Sequence, residues 1–210
     1  MYVPAHFAMS PAETAAMLAD IGAVDLISPS PDGLVATFLP MLYDAATGSL
    51  QGHVARNNPH WQVPGEKSLV IARGPDAYVS PRFYPSKAEH GRVVPTWNYV
   101  TAHIHGSLVV HEDVEWLRSL VTRLTARYEA AAAEPWAVTD APAAFVAGQL
   151  RAIVGVELVI DRIEAKSKLS QNRSAADQAG VVAGLSTGSP GDRAVADLMA
   201  HPVEPGPPQA

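Results

Sequence analysis

The chain contains no cysteine among its 210 residues. This absence excludes disulfide bonds, thiolate metal sites, iron–sulfur clusters and a cysteine nucleophile. Any metal would therefore be bound by histidine, by a carboxylate or within a prosthetic group.

The sequence also lacks a run of about 18 apolar residues, and its first residues lack the basic start and apolar centre of a secretory signal. We therefore predict a cytoplasmic protein with no membrane span. An excess of positive charge is missing too, since 15 Lys and Arg stand against 21 Asp and Glu. A net charge of −6 makes direct DNA binding doubtful, and the basic cluster at 166–173 is its only candidate contact.

Proline and glycine are abundant, with 18 and 15 residues, which favours a turn-rich antiparallel β architecture. No phosphate-loop, dinucleotide-binding or hydrolase motif is found, and helices do not alternate regularly with strands. We predict a mainly β chain, a closed antiparallel barrel with peripheral helices. A single domain would cover residues 1–200, and residues 201–210 would form a disordered proline-rich tail.

Local signals place the elements. Capping residues and apolar spacing predict helices over 10–22, 112–130 and 141–155, and two more after Ser174 and Ser189. Alternating apolar residues predict strands over 33–44 (interrupted by Pro40), 50–55, 68–72, 77–80, 99–105 and 156–166, with "RGPD" (73–76) as a turn.

The segment "GHVARNNPHW" (52–61) concentrates groups that bind ligands. Pro59 suits the first position of a helix capped by Asn58, and a helix amino terminus attracts phosphate or carboxylate groups. Arg56 would add a charge-assisted contact, or it would pair with a carboxylate of the chain. His53 follows a glycine and is either a donor to a ring, an axial ligand of haem iron, or a packed residue.

Two further segments suit a flat, polar ligand. "VPTWNYV" (94–100) places Trp97 and Tyr99 on one strand face, as an aromatic platform or as core, and Asn98 on the other. "EAKSKLSQNRS" (164–174) combines basic residues with hydroxyls and amides, either as ligand contacts or as a solvated basic face. His103 and His105 share a face, but the sequence positions no third ligand to complete a protein-bound metal site.

Five blocks in order resemble the PaiB family: "MYVPAHF", "GHVARNNPHW", "GPDAYVSPRFY", "VPTWNYVTAHIHG" and "KLSQNRSAADQAGVVAGL". They span roughly residues 1–185. The resemblance implies an FMN-binding split barrel, a Greek-key β-barrel related to pyridoxamine-phosphate oxidases. It also implies a homodimer with FMN at the subunit interface, in a family commonly called negative transcriptional regulators.

The resemblance also implies the site residues. His53, Ala55, Arg56 and Asn58 would hold the flavin phosphate and ring edge. The other matching positions are Trp97, Asn98, Tyr99, Lys168, Ser170, Gln171 and Asn172, and 168–172 would reach into the partner's site. The chain departs from the family pattern at Phe38, where histidine is usual, and at Ser167, where tryptophan is usual.

One branch of this family resembles haem-dependent piperazate synthases, which join two nitrogen atoms and use the histidine of the "GH" block as iron ligand. His53 retains that residue, whereas "KLSQNRSAADQ" is similar to the flavin-type members. We therefore predict FMN as the cofactor, acting in regulation or flavin redox chemistry, with haem b and nitrogen–nitrogen bond formation as the alternative. The sequence leaves open whether the protein is an enzyme, and it names no substrate.

Overall fold

The computed structural model describes residues 1–63 and 67–201. Its strands are hydrogen-bonded in the order β1-β2-β3-β6-β5-β4, which forms a closed barrel and confirms the predicted fold class. Within the described ranges, no helix combines the length and apolar character that crossing a bilayer requires. The elements are α1 (Pro11–Ala19), β1 (Ala23–Ser30), β2 (Gly33–Asp44), β3 (Ser49–Ala55), β4 (Lys67–Val79), α2 (Ser86–His90), β5 (Thr96–His111), α3 (Val114–Glu129), α4 (Ala143–Arg151), β6 (Ile153–Lys168), α5 (Ala175–Leu185) and α6 (Pro190–Ala200).

Contacts within the chain separate it into two compact units. The first unit contains residues 1–18, 73–103 and 164–210, and the second contains 19–72 and 104–163. A single domain over 1–200 stays a prediction, and the predicted tail lies outside the described residues except for His201.

In the second unit, β2 changes partner at Pro40. β1 pairs with β2 from Ala23 opposite Pro40 to Ser30 opposite Gly33, and β3 pairs with β2 from Met41 onward. Proline has no N–H to donate, so it is tolerated where one ladder ends and the next begins. The predicted interruption at Pro40 is wrong, because β2 is one strand from Gly33 to Asp44 that changes partner there. The predicted strands at 33–44 and 50–55 are confirmed, whereas β1 was not predicted.

The predicted turn at 73–76 is wrong, because β4 is one strand that runs through it. A Cβ atom added to Gly74 would lie 2.9 Å from the Cβ atom of Val100 on β5. Gly74 therefore serves the close approach of two strands rather than a chain reversal.

The predicted helices form, but the one predicted over 141–155 ends at Arg151, and Ile153 already belongs to β6. Capping residues place the starts of α1, α5 and α6. At α1, Ser10 N donates to Glu13 Oε2 (2.7 Å) and Glu13 N donates to Ser10 Oγ (3.2 Å). The Ser189 and Asp192 pair makes the same reciprocal box at α6, and Ser174 caps α5. The short helix α2 was not predicted.

Each unit has a core of its own. In the first unit, α5 and α6 pack through Val181, Leu185 and Val195 against Val79 and Tyr84. In the second unit, α3 takes part in two clusters of buried residues. Leu120 and Leu124 of α3 pack with Leu42 of β2, and Leu117 of α3 packs with Val146 and Leu150 of α4.

Candidate cofactor site

His53 lies on β3 directly opposite Gly155 of β6. Its ring is half-buried, and its Nδ1 atom is buried with no hydrogen-bond partner among the described residues. Burial lowers the pKa of the imidazole, so the ring is neutral at pH 7. A neutral imidazole can bind a metal through one nitrogen or hydrogen-bond a polar ring edge, so this chemistry fits both predicted roles.

The face of β6 beside His53 is filled by side chains of the same unit. A Cβ atom on Gly155 would lie 2.3 Å from the ring of Trp116 and 3.1 Å from the Cβ atom of His111. The rings of Trp116 and His111 stack with their centroids 4.0 Å apart. The space directly over Gly155 therefore holds protein rather than an open cleft.

Arg56 is bound within the second unit. Its Nη1 atom pairs with Glu112 (2.8 Å), its Nε donates to the carbonyl of Arg151 (2.9 Å) and its Nη2 to that of Ile153 (3.3 Å). The pairing with a carboxylate, one of the two alternatives for Arg56, is what the structure contains. The ion pair is partly exposed, with 40% of the Arg56 side chain and 55% of the Glu112 side chain accessible, so a ligand phosphate would compete with Glu112.

The helix predicted after Asn58 is only a 3-10 helix of four residues, Pro59–Gln62. Asn58 does cap it, since His60 N donates to Asn58 Oδ1 (2.9 Å). The helix ends at Gln62 because Pro64 disfavours helical geometry at Val63. So short a helix provides little of the dipole expected to attract an anion. Ala55 is exposed just before this segment.

Trp97 and Tyr99 line a cavity of about 380 Å³ in the first unit. Arg73 and Asp76 of β4 also line it, and Trp97 is 53% exposed. The ring of Tyr78, itself 49% exposed, meets Trp97 edge to face with their centroids 6.3 Å apart. Aromatic walls with one cation and one carboxylate suit a flat, polar ring system.

Asn98 lies on the opposite face of β5 and is fully buried. Its Nδ2 atom donates to Ser170 Oγ (3.0 Å) and the Ser170 hydroxyl donates to Asn98 Oδ1 (3.1 Å). This reciprocal pair holds the segment after β6, where Ser170 has a left-handed φ of 67°. Asn98 and Ser170 therefore support the site from behind and do not line the Trp97 cavity.

Lys168 is hydrogen-bonded to the start of β5. Its Nζ atom donates to Thr96 Oγ1 (2.6 Å) and to the carbonyl of Trp97. Burial, together with the positive charges of Lys166 and Arg173, lowers the pKa of the Lys168 ammonium. Lys166 is itself buried, with its ammonium 5.2 Å from the centre of the Tyr99 ring. These lysines are packed on aromatic rings, so the simple solvated basic face is excluded for them.

The remaining predicted residues lie in the turn that follows β6. Gln171 accepts from Leu169 N (2.7 Å) and donates to the carbonyl of Ser167, and both Gln171 and Asn172 are exposed. Both side chains are accessible to a ligand, and the hydrogen bonds of Gln171 are with the backbone of its own turn.

Sequence reasoning missed Arg73 and Asp76 as lining residues. Both belong to "RGPD", which was interpreted as a turn. Arg73 lies on an exposed face of β4, and this placement follows from strand alternation only if the strand continues through Gly74 and Pro75.

Comparisons with known proteins identify the family and the fold of the chain. Residues 1–162 match the family described as "Putative FMN-binding domain". An uncharacterized protein of Emericella nidulans is 30% identical over 201 residues, covering 78% of this chain and 80% of its own length. The Bacillus subtilis protein named Protease synthase and sporulation protein PAI 2 is 29% identical over 205 residues, covering 95% and 96%. The solved FAD and haem binding protein from Mycobacterium smegmatis shares the fold, with a TM-score of 0.58 at 17% identity, over 81% of this chain and 77% of that one.

The barrel topology and these likenesses define a split-barrel protein of the flavin-binding type. The chain belongs to the FMN-binding domain family whose model it matches, and the predicted resemblance to the PaiB family is confirmed.

Proposed function

We propose that this chain binds FMN as a homodimer and acts as a flavin redox protein or a redox-dependent regulator. The observation that carries the proposal is the cavity walled by Trp97, Tyr99 and Arg73, in a chain of an FMN-binding family. The isoalloxazine ring would pack on the two aromatic rings, and Arg73 would donate to an electronegative edge of it. Bound flavin would supply hydride and electron transfer.

Two features of this chain support that assignment. Trp97 and Tyr78 are both about half exposed, so the cavity is open on one side, and a second copy of the chain would close it. Lys168 fixes the backbone carbonyl of Trp97, which orients the indole before any ligand arrives. A regulatory role by direct DNA contact is disfavoured by the net charge of −6.

The Trp97→Ala variant is expected to bind FMN about tenfold more weakly than the wild type, because it loses one stacking partner of about 1.4 kcal/mol. Binding is measured by the quenching of flavin fluorescence, with the number of FMN per dimer obtained from sedimentation at flavin wavelengths. Trp136→Ala is the matched control, since Trp136 is 48% exposed and lies outside the cavity. Equal FMN affinity in the two variants would remove Trp97 from the site.

The same titration tests the predicted phosphate contact of Arg56. Arg56→Ala should weaken FMN but leave riboflavin unchanged, because riboflavin lacks the phosphate. Arg118→Ala is the control, since Arg118 is similarly exposed and pairs only loosely with Glu115 (3.9 Å). A loss that is identical for FMN and riboflavin would assign Arg56 to the Glu112 ion pair alone.

A haem enzyme that forms a nitrogen–nitrogen bond is the second candidate. It is favoured by the buried Nδ1 of His53, which has no hydrogen-bond partner in the part of the chain that the structure describes. The lowered pKa keeps this imidazole in the neutral form that binds iron. We expect haem b titrated into the protein to give a Soret band whose intensity falls at least about tenfold in His53→Ala at limiting haem. His90→Ala, an exposed histidine of α2, is the control. A Soret band that survives in His53→Ala would end the axial-ligand assignment.

A further inference from the structure

His60 lies in the segment "GHVARNNPHW" but is not among the residues assigned to the cofactor. Its side chain is fully buried in the second unit. Its Nε2 atom lies 2.8 Å from Ser28 Oγ of β1, and its Nδ1 atom lies 2.8 Å from Thr37 Oγ1 of β2. A buried imidazole bonded through both nitrogens is held in one orientation, so His60 links the loop after β3 to both strands.

The direction of each hydrogen bond in this network follows from Asn58. The backbone N–H of His60 donates to Asn58 Oδ1 (2.9 Å), so the Nδ2 group of Asn58 is the one that donates to Thr37 Oγ1 (3.3 Å). Among the described residues, Thr37 Oγ1 bonds only to Asn58 and His60, so its own hydrogen is donated to His60 Nδ1. Nε2 therefore carries the ring proton and donates it to Ser28 Oγ. Burial lowers the pKa of the ring, which keeps it neutral at pH 7 as this arrangement requires.

The same network fixes the turn of residues 55–58, which carries Arg56 and is called the Arg56 turn below. Asn58 N donates to the carbonyl of Ala55 (2.8 Å), which closes the turn, and Trp61 Nε1 donates to the carbonyl of Arg56 (2.9 Å). The Asn58 side chain is held in turn by the bonds described above. A ligand phosphate would therefore meet an arginine whose backbone is already in place, which lowers the ordering cost of binding.

We propose that His60 is a positioning residue for the phosphate of FMN: its ring, accepting at Nδ1 and donating at Nε2, ties Asn58 to β1 and β2 and so holds the Arg56 turn. The inference rests on the proposed FMN binding and on the predicted contact of Arg56 with the phosphate. His60 itself touches no ligand, because its ring is fully buried and bonded at both nitrogens. The network should therefore affect the binding of FMN and not that of riboflavin, which has no phosphate.

Thr37→Val tests the network, because valine is similar in size to threonine and removes the hydroxyl that bonds to both Asn58 and His60. In the flavin titration, FMN should bind at least about fivefold more weakly to this variant, with riboflavin changed less than about twofold. Thr37→Ser keeps the hydroxyl and should restore the FMN affinity to within about twofold of the wild type.

Ser49→Ala is the matched control, since it removes a buried hydroxyl of the same unit that bonds to Glu157 and not to the Arg56 turn. Like Thr37→Val, it should lower the urea midpoint of unfolding. Its FMN affinity should equal that of the wild type, which separates a loss of positioning from a loss of stability.

Two measurements on the flavin-free full chain test the network directly. In Thr37→Val, amide hydrogen exchange at Asn58 and His60 should accelerate at least about fivefold more than exchange at the amides of β3, and in Thr37→Ser and Ser49→Ala it should not. Nitrogen-15 spectra of the histidine rings should show His60, identified as the ring whose signals move in Thr37→Ser, with its proton on Nε2 at pH 7.

A ring proton on Nδ1, unchanged amide exchange in Thr37→Val, or an FMN affinity that falls no more than the riboflavin affinity would each overturn the proposal. If the wild type bound no FMN, the proposed function would fail on its own. Amide exchange and the ring proton of His60 would then still decide whether this residue holds the Arg56 turn.

Discussion

The Gly180→Ala variant is expected to lose about 3 kcal/mol of unfolding free energy, although it adds a single methyl group. Gly180 lies in α5, where an added Cβ atom would be 2.1 Å from the backbone carbonyl oxygen of Phe83 and 2.9 Å from Pro85 Cδ. The backbone oxygen cannot rotate away as a side chain would. Relief therefore requires α5 to move off the segment around Phe83, which opens the core of the first unit.

Gly148→Ala makes the matched control, because Gly148 also lies within a helix, α4, where an added Cβ atom would be 3.9 Å from Arg151 Nη2, an ordinary van der Waals distance. Alanine there should raise stability by about 0.5–1 kcal/mol through the lower entropy of the unfolded chain. Urea denaturation followed by circular dichroism measures both variants. Similar effects of the two substitutions would show that helix propensity, and not the contact with Phe83, decides the outcome at Gly180.

The helices were predictable because their signals are local. A serine cap with an acidic residue three positions later, as at Ser10 and Ser189, is satisfied by hydrogen bonds within one turn. The apolar spacing of α3 likewise depends only on its own residues, and that helix buries Leu117, Leu120 and Leu124 as the spacing requires.

The strand that was missed, β1, depends on partners distant in sequence. β1 buries Val24, Leu26 and Ser28 in alternation, but the serine hides the apolar pattern. Ser28 is tolerated there because it bonds to His60 and Ser68, which come from other parts of the chain. Such a compensation leaves no trace in the sequence around β1.

The candidate site was predictable in composition and less so in arrangement. The sequence indicated Trp97 and Tyr99 either as an aromatic platform or as core, and the structure places both on the wall of one cavity. It left open whether Arg56 faces a ligand or a carboxylate, because Glu112 lies 56 residues away and becomes its neighbour only through folding. The charge of Arg56 at the end of β3 indicates a place that attracts an anionic ligand. Whether a carboxylate of the chain already pairs with Arg56 depends on Glu112, which the local sequence does not reveal.

A buried hydrogen-bond network under α3 gives the second large expected effect. Glu157 of β6 accepts from Ser49 Oγ (2.5 Å) and Gln51 Nε2 (3.0 Å), and its other oxygen lies 2.7 Å from His111 Nε2. Burial raises the pKa of this carboxyl, but the hydrogen bonds from Ser49, His111 and Gln51 outweigh burial, so its pKa lies below the ordinary value of 4.5. Arg123 joins the same network through Gln51 Oε1.

Glu157→Gln is expected to lower the free energy of unfolding by about 3 kcal/mol at pH 7, because the amide cannot accept all three bonds and the donors around it stay buried. The carboxyl has a lower pKa in the folded state than in the unfolded state. Its contribution is therefore fully present above about pH 4.5 and is lost as pH falls through the folded pKa. Urea midpoints of wild type and variant should thus differ at pH 7 and converge in acid.

Glu115→Gln is the control for charge alone, since the Glu115 side chain is 81% exposed at the start of α3. It should change stability by no more than about 0.5 kcal/mol at any pH. If Glu157→Gln were as mild as this control, or if its effect were equally large in acid, the carboxylate would not be the acceptor that holds β3 and β5 to β6 at this point. A difference in urea midpoint between wild type and Glu157→Gln that is present at pH 7 and absent in acid would show that the ionised carboxylate holds the network. Only the ionised form accepts from all three neighbours at once.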